Sequence, residues 1–166
     1  MRWPFFHRLL EANVSRTDIT VQEQDFDIAR EYQGLRSAGH EDGAVVTFTG
    51  LVRDFNQNCD VKGMFLEHYP GMTEKMLEII VHQARERWSL NNIRIIHRVG
   101  QLYPGDQIVY VGVTSAHREA AFAAAEFVMD FLKTQAPFWK KELTSQGSRW
   151  VEANEKDQQA LKKWRD

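Results

Sequence analysis

At 166 residues the chain has room for one ordinary domain, which buries roughly 70% of the surface its unfolded form exposes. A composition that is 43% hydrophobic and 27% charged, with five Trp and ten Phe, excludes a disordered or fibrous chain. A formal charge of −2 excludes recognition of polyanions by the whole surface, so an anion must be met by a local cluster of basic residues.

The opening run Met1-Arg2-Trp3-Pro4-Phe5-Phe6-His7-Arg8-Leu9-Leu10 is not read as an export signal, because Pro4, His7 and Arg8 interrupt it and no small-residue cleavage site follows. Residues 1–16 are read as an N-terminal extension and 17–166 as a single domain. No stretch approaches the roughly 20 apolar residues that cross a bilayer. The single cysteine, Cys59, excludes an intramolecular disulfide and a Cys-rich metal site. These features point to the cytoplasm, where the sequon Asn13-Val14-Ser15 is accidental.

Along the chain, helical patterning predicts helices over about 27–37, 73–88, 116–135 and 154–164. The second carries Met76, Leu77, Ile80, Val81, Ala84 and Trp88 at helical spacing. The third puts Phe122, Ala125, Met129 and Leu132 on one stripe, has Ser115 as a possible N-cap, and must end before Pro137. Strands are predicted at Gly43–Thr49, Met64–Tyr69, Ile93–Val99, Gln107–Thr114, Trp139–Leu143 and Arg149–Glu152, with Asn56-Gln57-Asn58-Cys59-Asp60 as a loop. The nearly continuous apolar run Ile108-Val109-Tyr110-Val111-Gly112-Val113 reads as a central strand covered on both faces.

Between Lys133 and Arg149 the cations Lys133, Lys140, Lys141 and Arg149 meet only Glu142. Pro137-Phe138-Trp139-Lys140-Lys141 mixes rings with ammonium groups, which suits a flat phosphorylated heteroaromatic ligand or a base of single-stranded RNA. Phe138 and Trp139 serve equally as core residues of a strand. His117 and Arg118 fall at a helix N-terminus, where free N–H groups and the dipole favour an anion. Arg53 follows Gly50, a residue that permits close backbone approach. Lys133 follows Phe131-Leu132 on a stripe expected to be buried; desolvation there lowers an amine's pKa and makes it usable for proton transfer, unless it snorkels to solvent. The histidines form no metal-ligand spacing with one another or with Cys59, and no dinucleotide, P-loop or nucleophile-elbow motif occurs. Cys59 lies in a polar loop without a charge partner, which argues against a sulfur carrier.

Several long motifs, in order, resemble the large-subunit family of molybdopterin synthase. They are Asp42-Gly43-Ala44-Val45-Val46-Thr47-Phe48-Thr49-Gly50 with Val52-Arg53, and Leu66-Glu67-His68-Tyr69-Pro70-Gly71-Met72. Next come Tyr103-Pro104-Gly105-Asp106 through Val113-Thr114-Ser115-Ala116-His117-Arg118, and Met129-Asp130-Phe131-Leu132-Lys133-Thr134 through Ala136-Pro137-Phe138-Trp139-Lys140. Arg149-Trp150-Val151-Glu152-Ala153 closes the set.

The resemblance implies an α+β protein, an α/β hammerhead-type fold with an additional small antiparallel sheet. It implies a homodimer at the core of a heterotetramer with a small ubiquitin-like sulfur-carrier subunit ending in a Gly-Gly thiocarboxylate. The implied reaction carries sulfur from that thiocarboxylate to cyclic pyranopterin monophosphate, forming the dithiolene of molybdopterin without metal or other cofactor. No nucleic acid or membrane partner is implied. By resemblance Lys133 and Lys140 are catalytic, and substrate contacts fall on Leu51, Val52, Arg53, His117, Arg118, Lys133, Lys140, Lys141 and Glu142, with Arg149 a further basic candidate. Leu51 and Val52 are expected to contribute backbone contacts. Two positions depart from the family: Leu51 stands where lysine is frequent, and Lys141 where arginine is frequent, which removes bidentate geometry.

His117 and Lys133 are 16 positions apart on one predicted helix, or roughly 24 Å at 1.5 Å per residue. A pocket of ordinary size that uses both must take His117 and Arg118 from a neighbouring copy. The rival reading is a non-enzymatic module that binds single-stranded RNA or a protein tail through residues 137–141.

Overall fold

The computed structural model describes residues 15–36, 40–56, 59–151 and 155–165, without the side chains at 55, 56 and 59. The expected extension therefore lies outside the described residues except at 15 and 16, as do Gln57, Asn58 and Glu152.

The elements in chain order are β1 (Thr17–Gln22), α1 (Ile28–Leu35), β2 (Ala44–Leu51), β3 (Phe55–Asn56), β4 (Cys59–His68), α2 (Met72–Arg87), β5 (Ile93–Arg98) and β6 (Gly100–Leu102). They continue with β7 (Gln107–Ser115), α3 (Arg118–Gln135), β8 (Phe138–Thr144), β9 (Gly147–Val151), α4 (Glu155–Ala160) and a 3-10 turn (Leu161–Trp164). Two sheets result. The first has the order β1-β5-β7-β2; the second runs β3-β4-β8-β9, with β6 also on β4. This is the expected α+β class.

The predicted helices and strands are all present, with β1, β3 and β6 in addition. The expected loop is correspondingly shorter, since Asn56 pairs with Cys59 and Phe55 with Asp60 across a β3–β4 hairpin. β7 is central, as its apolar run requires. Val109, Val111 and Val113 turn toward α2 and α3 and join Leu77, Ile80, Val81, Ala84, Ala124, Phe127, Val128 and Leu132 in the main core. Tyr110 turns the other way to pack with Phe26 and Ile96. α2 lies over β1, and α3 over β7 and β2.

Two features of the third helix differ from expectation. It starts after His117, and Ser115 remains in β7, where its hydroxyl donates to the Ser89 carbonyl at 2.9 Å and accepts the His117 N–H at 3.3 Å. Phe122 is 63% exposed. The sheet-facing side is built instead on Ala121, Ala124, Ala125, Val128 and Leu132, because small alanines let the helix approach β7 closely.

The inner face of the second sheet makes a smaller core of Val52, Met64, Leu66, Val99 and Leu102, with Phe138 packed against it. Thr73 fixes this sheet to α2. Its buried hydroxyl donates to the Pro137 carbonyl at 3.3 Å and accepts the Tyr69 N–H at 3.2 Å. The residues just before Lys140 are thereby held to the start of a helix.

Candidate active site

Pairing across β8 sorts the basic segment into two faces, since neighbours along a strand alternate. Phe138, Lys140 and Glu142 share the inner face with their partners His68, Leu66 and Met64 on β4. Trp139 and Lys141 point outward. Phe138 stacks on His97 with ring centroids 3.8 Å apart, whereas Trp139 is 49% exposed and Lys141 lies 5.6 Å from the Trp150 ring centroid. Residues 137–141 therefore do not form one continuous surface. That removes the geometric basis for an RNA-binding strip.

Glu142 is the centre of the inner-face cluster. It is 1% exposed; its carboxylate accepts from Lys140 Nζ at 2.9 Å and from Arg149 Nη2 at 3.1 Å. Arg149 is its direct cross-strand partner on β9. A buried carboxylate between two cations leaves one net positive charge and fixes where it points. Glu142 was expected to contact substrate. It is buried with two cationic partners, and it holds Lys140 and Arg149 in place.

Arg53 emerges where β2 ends. The register shifts between Gly50 and Leu51, and a Cβ on Gly50 would lie 2.7 Å from Val109 Cγ1, so glycine is required for β2 to pass so close to β7. Leu51 is 56% exposed while Val52 is 3% exposed. The Val52 N–H donates to Asp106 and its carbonyl accepts from Gly105, at 2.9 and 2.8 Å. Both backbone groups of Val52 are thus paired within the chain, and Val52 anchors the exposed Arg53 beside the smaller core.

For Lys133 the expected burial is corrected. Its side chain is 55% exposed and its Nζ lies 3.8 Å from Asp157 of α4. It snorkels to solvent and finds an acidic partner, so the desolvation expected on the helix stripe does not arise. At the other end of α3, His117 is the N-cap and Arg118 the first helical residue, both exposed and, among the described residues, without an ion pair. The helix separates them from Lys133 as predicted, by roughly 24 Å along its axis.

The histidine that matters to this region was not singled out by sequence. His97 is buried on β5, and burial pushes its imidazole down to about 4, with a smaller contribution from His68. Its Nδ1 donates to the Arg98 carbonyl at 2.8 Å, and its ring supports Phe138. The alternation Ile93, Ile95, His97 placed it inward and was the available signal. For Asp157 as the partner of Lys133 no spacing gave one.

Two concavities lie apart from this cluster, one of about 540 Å³ between β1 and α2 and one of about 290 Å³ beneath α1; neither is lined by an expected site residue. Among the described residues, no group of three His, Cys, Asp or Glu side chains is placed to hold a metal.

The two-sheet α+β fold, with the exposed cations Arg53 and Arg118 at a strand end and a helix start, defines the structural class. Comparison with known proteins sharpens that class. The MoaE protein family matches residues 21–135. The molybdopterin synthase catalytic subunit of Escherichia coli (strain K12) is 58% identical over 151 residues, covering 91% of this chain and 100% of that protein. A solved structure, the molybdopterin biosynthesis MoaE protein from Burkholderia ambifaria MC40-6, superposes with a TM-score of 0.77 at 50% identity, covering 90% of this chain and 98% of that one. A complex of subunits 1 and 2 of molybdopterin-converting factor from Helicobacter pylori 26695 shares the fold at 21% identity and a TM-score of 0.64, over 82% of this chain and 90% of that one. The chain belongs to the MoaE family, whose members at this similarity are catalytic subunits of molybdopterin synthase, enzymes of molybdenum cofactor biosynthesis.

Proposed function

We propose that the chain transfers sulfur from the C-terminal thiocarboxylate of a small ubiquitin-like subunit to cyclic pyranopterin monophosphate, forming the dithiolene of molybdopterin. The observation that carries this reading is the ordered triad Lys140, Glu142 and Arg149, in a chain that aligns with a catalytic subunit over that protein's whole length. The small partner is supported by the resemblance and by the two-subunit composition of the Helicobacter pylori relative.

In this mechanism Arg53, His117, Arg118 and Lys140 bind the phosphate and the negative charge that develops as the thiocarboxylate sulfur attacks, with Lys141 and Arg149 adding local positive potential. Lys133, reaching outward from the end of α3, supplies the proton transfer at the reacting centre. Leu51 contributes apolar surface at the rim where the family frequently has a charge. His117 and Arg118 come from a second copy. The reaction belongs in the cytoplasm; no helix among the described residues is long and apolar enough to cross a membrane.

The test mixes the purified chain with thiocarboxylated small subunit and cyclic pyranopterin monophosphate and follows dithiolene by mass spectrometry. Wild type should form product, and Lys133→Ala should lose it by about 10²-fold or more, the range for a group in proton transfer. Undiminished product with Lys133→Ala removes the catalytic assignment.

A further inference from the structure

Two of the connections between the first sheet's layer and the second sheet meet at one residue. β4 passes into α2 through Tyr69-Pro70-Gly71, and α3 passes into β8 through Ala136-Pro137. Thr73, buried in the first turn of α2, ties both. Its hydroxyl accepts the Tyr69 N–H of one connection at 3.2 Å and donates to the Pro137 carbonyl of the other at 3.3 Å. Its own N–H donates to the Tyr69 carbonyl at 2.9 Å. Valine would fill this space with about the same helix propensity, so packing gives no reason for a hydroxyl here; the two bonds do.

The corner between α3 and β8 is braced a second time. The Phe138 N–H closes back on the Ala136 carbonyl at 2.9 Å. The Phe138 ring lies on buried His97 of β5, with centroids 3.8 Å apart and the planes 17° from parallel. His68, the cross-strand partner of Phe138, lies 3.9 Å from Glu74 of α2. β5 and α2, which pack together in the main core, therefore hold the first residue of β8. Lys133 stands two residues before the end of α3, and Lys140 two residues after the start of β8.

We propose that Thr73 and His97 are positioning residues for sulfur transfer: they fix the corner at Pro137 and Phe138 and so set where Lys140 stands relative to Lys133. The inference rests on the proposed function, which gives the two lysines one reaction. Both positioning residues are buried and act through the corner. Lys140 lies roughly 10 Å along the strand from Pro137 at about 3.3 Å per residue. A tilt of the second sheet by about 6° at the corner then moves it by about 1 Å, and a misplacement of about 1 Å can cost about 10²-fold in rate. Hydrogen bonds within the sheet do not prevent such a tilt, because β4, β8 and β9 would move together. Bonds from outside the sheet do, and those are what Thr73 and His97 supply.

Single-turnover rates with thiocarboxylated small subunit and cyclic pyranopterin monophosphate, read as dithiolene by mass spectrometry, test the role. Thr73→Val should slow transfer by about 10-fold or more, and Thr73→Ser, which keeps the hydroxyl, should restore the wild-type rate. His97→Leu should slow transfer, while His97→Phe keeps a flat ring on Phe138 and should restore most of it. Ile95→Val lowers Tm from the main core and should leave the rate unchanged, which separates positioning from loss of stability. A wild-type rate in Thr73→Val, or an equal slowing by Ile95→Val, overturns the proposal. Thermal melts add a readout without activity. Displacing the corner loosens Lys140 from Glu142, so Lys140→Met should lower Tm less in the Thr73→Val background than in wild type; strict additivity overturns the coupling. His97→Leu carries the same cycle should Thr73→Val not fold. Were wild type to transfer no sulfur, the proposed function would fail, and the melts would still decide whether the corner places Lys140.

Discussion

Replacing Glu142 with glutamine removes the charge that holds Lys140 and Arg149 together while keeping the side chain's size and one oxygen acceptor. Each cation contacts the carboxylate at about hydrogen-bond distance, 2.9 and 3.1 Å. Charge-assisted hydrogen bonds contribute about 1.5–3 kcal/mol each. The two cations are 31% and 37% exposed, so solvent screens the pairing and rehydrates them when it is lost. The neutral amide also avoids the cost of burying a charge. Taking the low end for each contact and subtracting that relief leaves a destabilisation of about 2 kcal/mol, or about 4–8 °C in Tm for a domain of this size. Thermal melts of Glu142→Gln, Lys140→Met and the double variant give the coupling directly. Lys140→Met should cost less in the Glu142→Gln background than in wild type. A Glu142→Gln melt within 1 °C of wild type, or strict additivity of the two changes, refutes the orienting role.

Four other outcomes follow from the packing. Because the His97 imidazole is pushed down to about 4 from an ordinary 6.5, the unfolded chain binds the extra proton first as pH falls; stability is fully present above about 6.5 and is lost toward 4, by up to about 3 kcal/mol. His97→Phe should flatten that part of the Tm-against-pH curve. The Tyr110 hydroxyl is buried without a hydrogen-bond partner, and burial raises its pKa to about 12; Tyr110→Phe should leave urea stability equal or raise it by about 1 kcal/mol, and a loss would reveal a partner. Gly43→Ala should destabilise by about 1–3 kcal/mol, because its Cβ would lie 2.1 Å from the Ala116 carbonyl oxygen, and urea titration reads this directly. Asp157→Asn breaks an outward-facing pair at 3.8 Å and should change stability by less than about 1 kcal/mol in the same titration.

The sequence was most legible where one periodicity decided the matter. α2 and β7 each carry an apolar pattern that their surroundings reinforce, and both were anticipated with nearly their observed bounds. β1 was missed because Thr17-Asp18-Ile19-Thr20-Val21-Gln22 has only two aliphatic positions and gains its strand through parallel pairing with β5, a contact between residues far apart in sequence. Phe122 was misread for a related reason: a stripe on a helical projection shows which residues share a flank, while the position of the sheet beneath decides which flank is buried. The same distinction separates the site residues. Lys140 and Arg149 were found by their charge, but whether Glu142 binds ligand or orients cations depends on which side of β8 faces the second core, and one residue's shift reverses that.

Lys133 carries the point furthest. Its neighbours Phe131 and Leu132 suggested a buried amine, yet helical geometry turns it away from Leu132 and out to solvent, where Asp157 of α4 meets it.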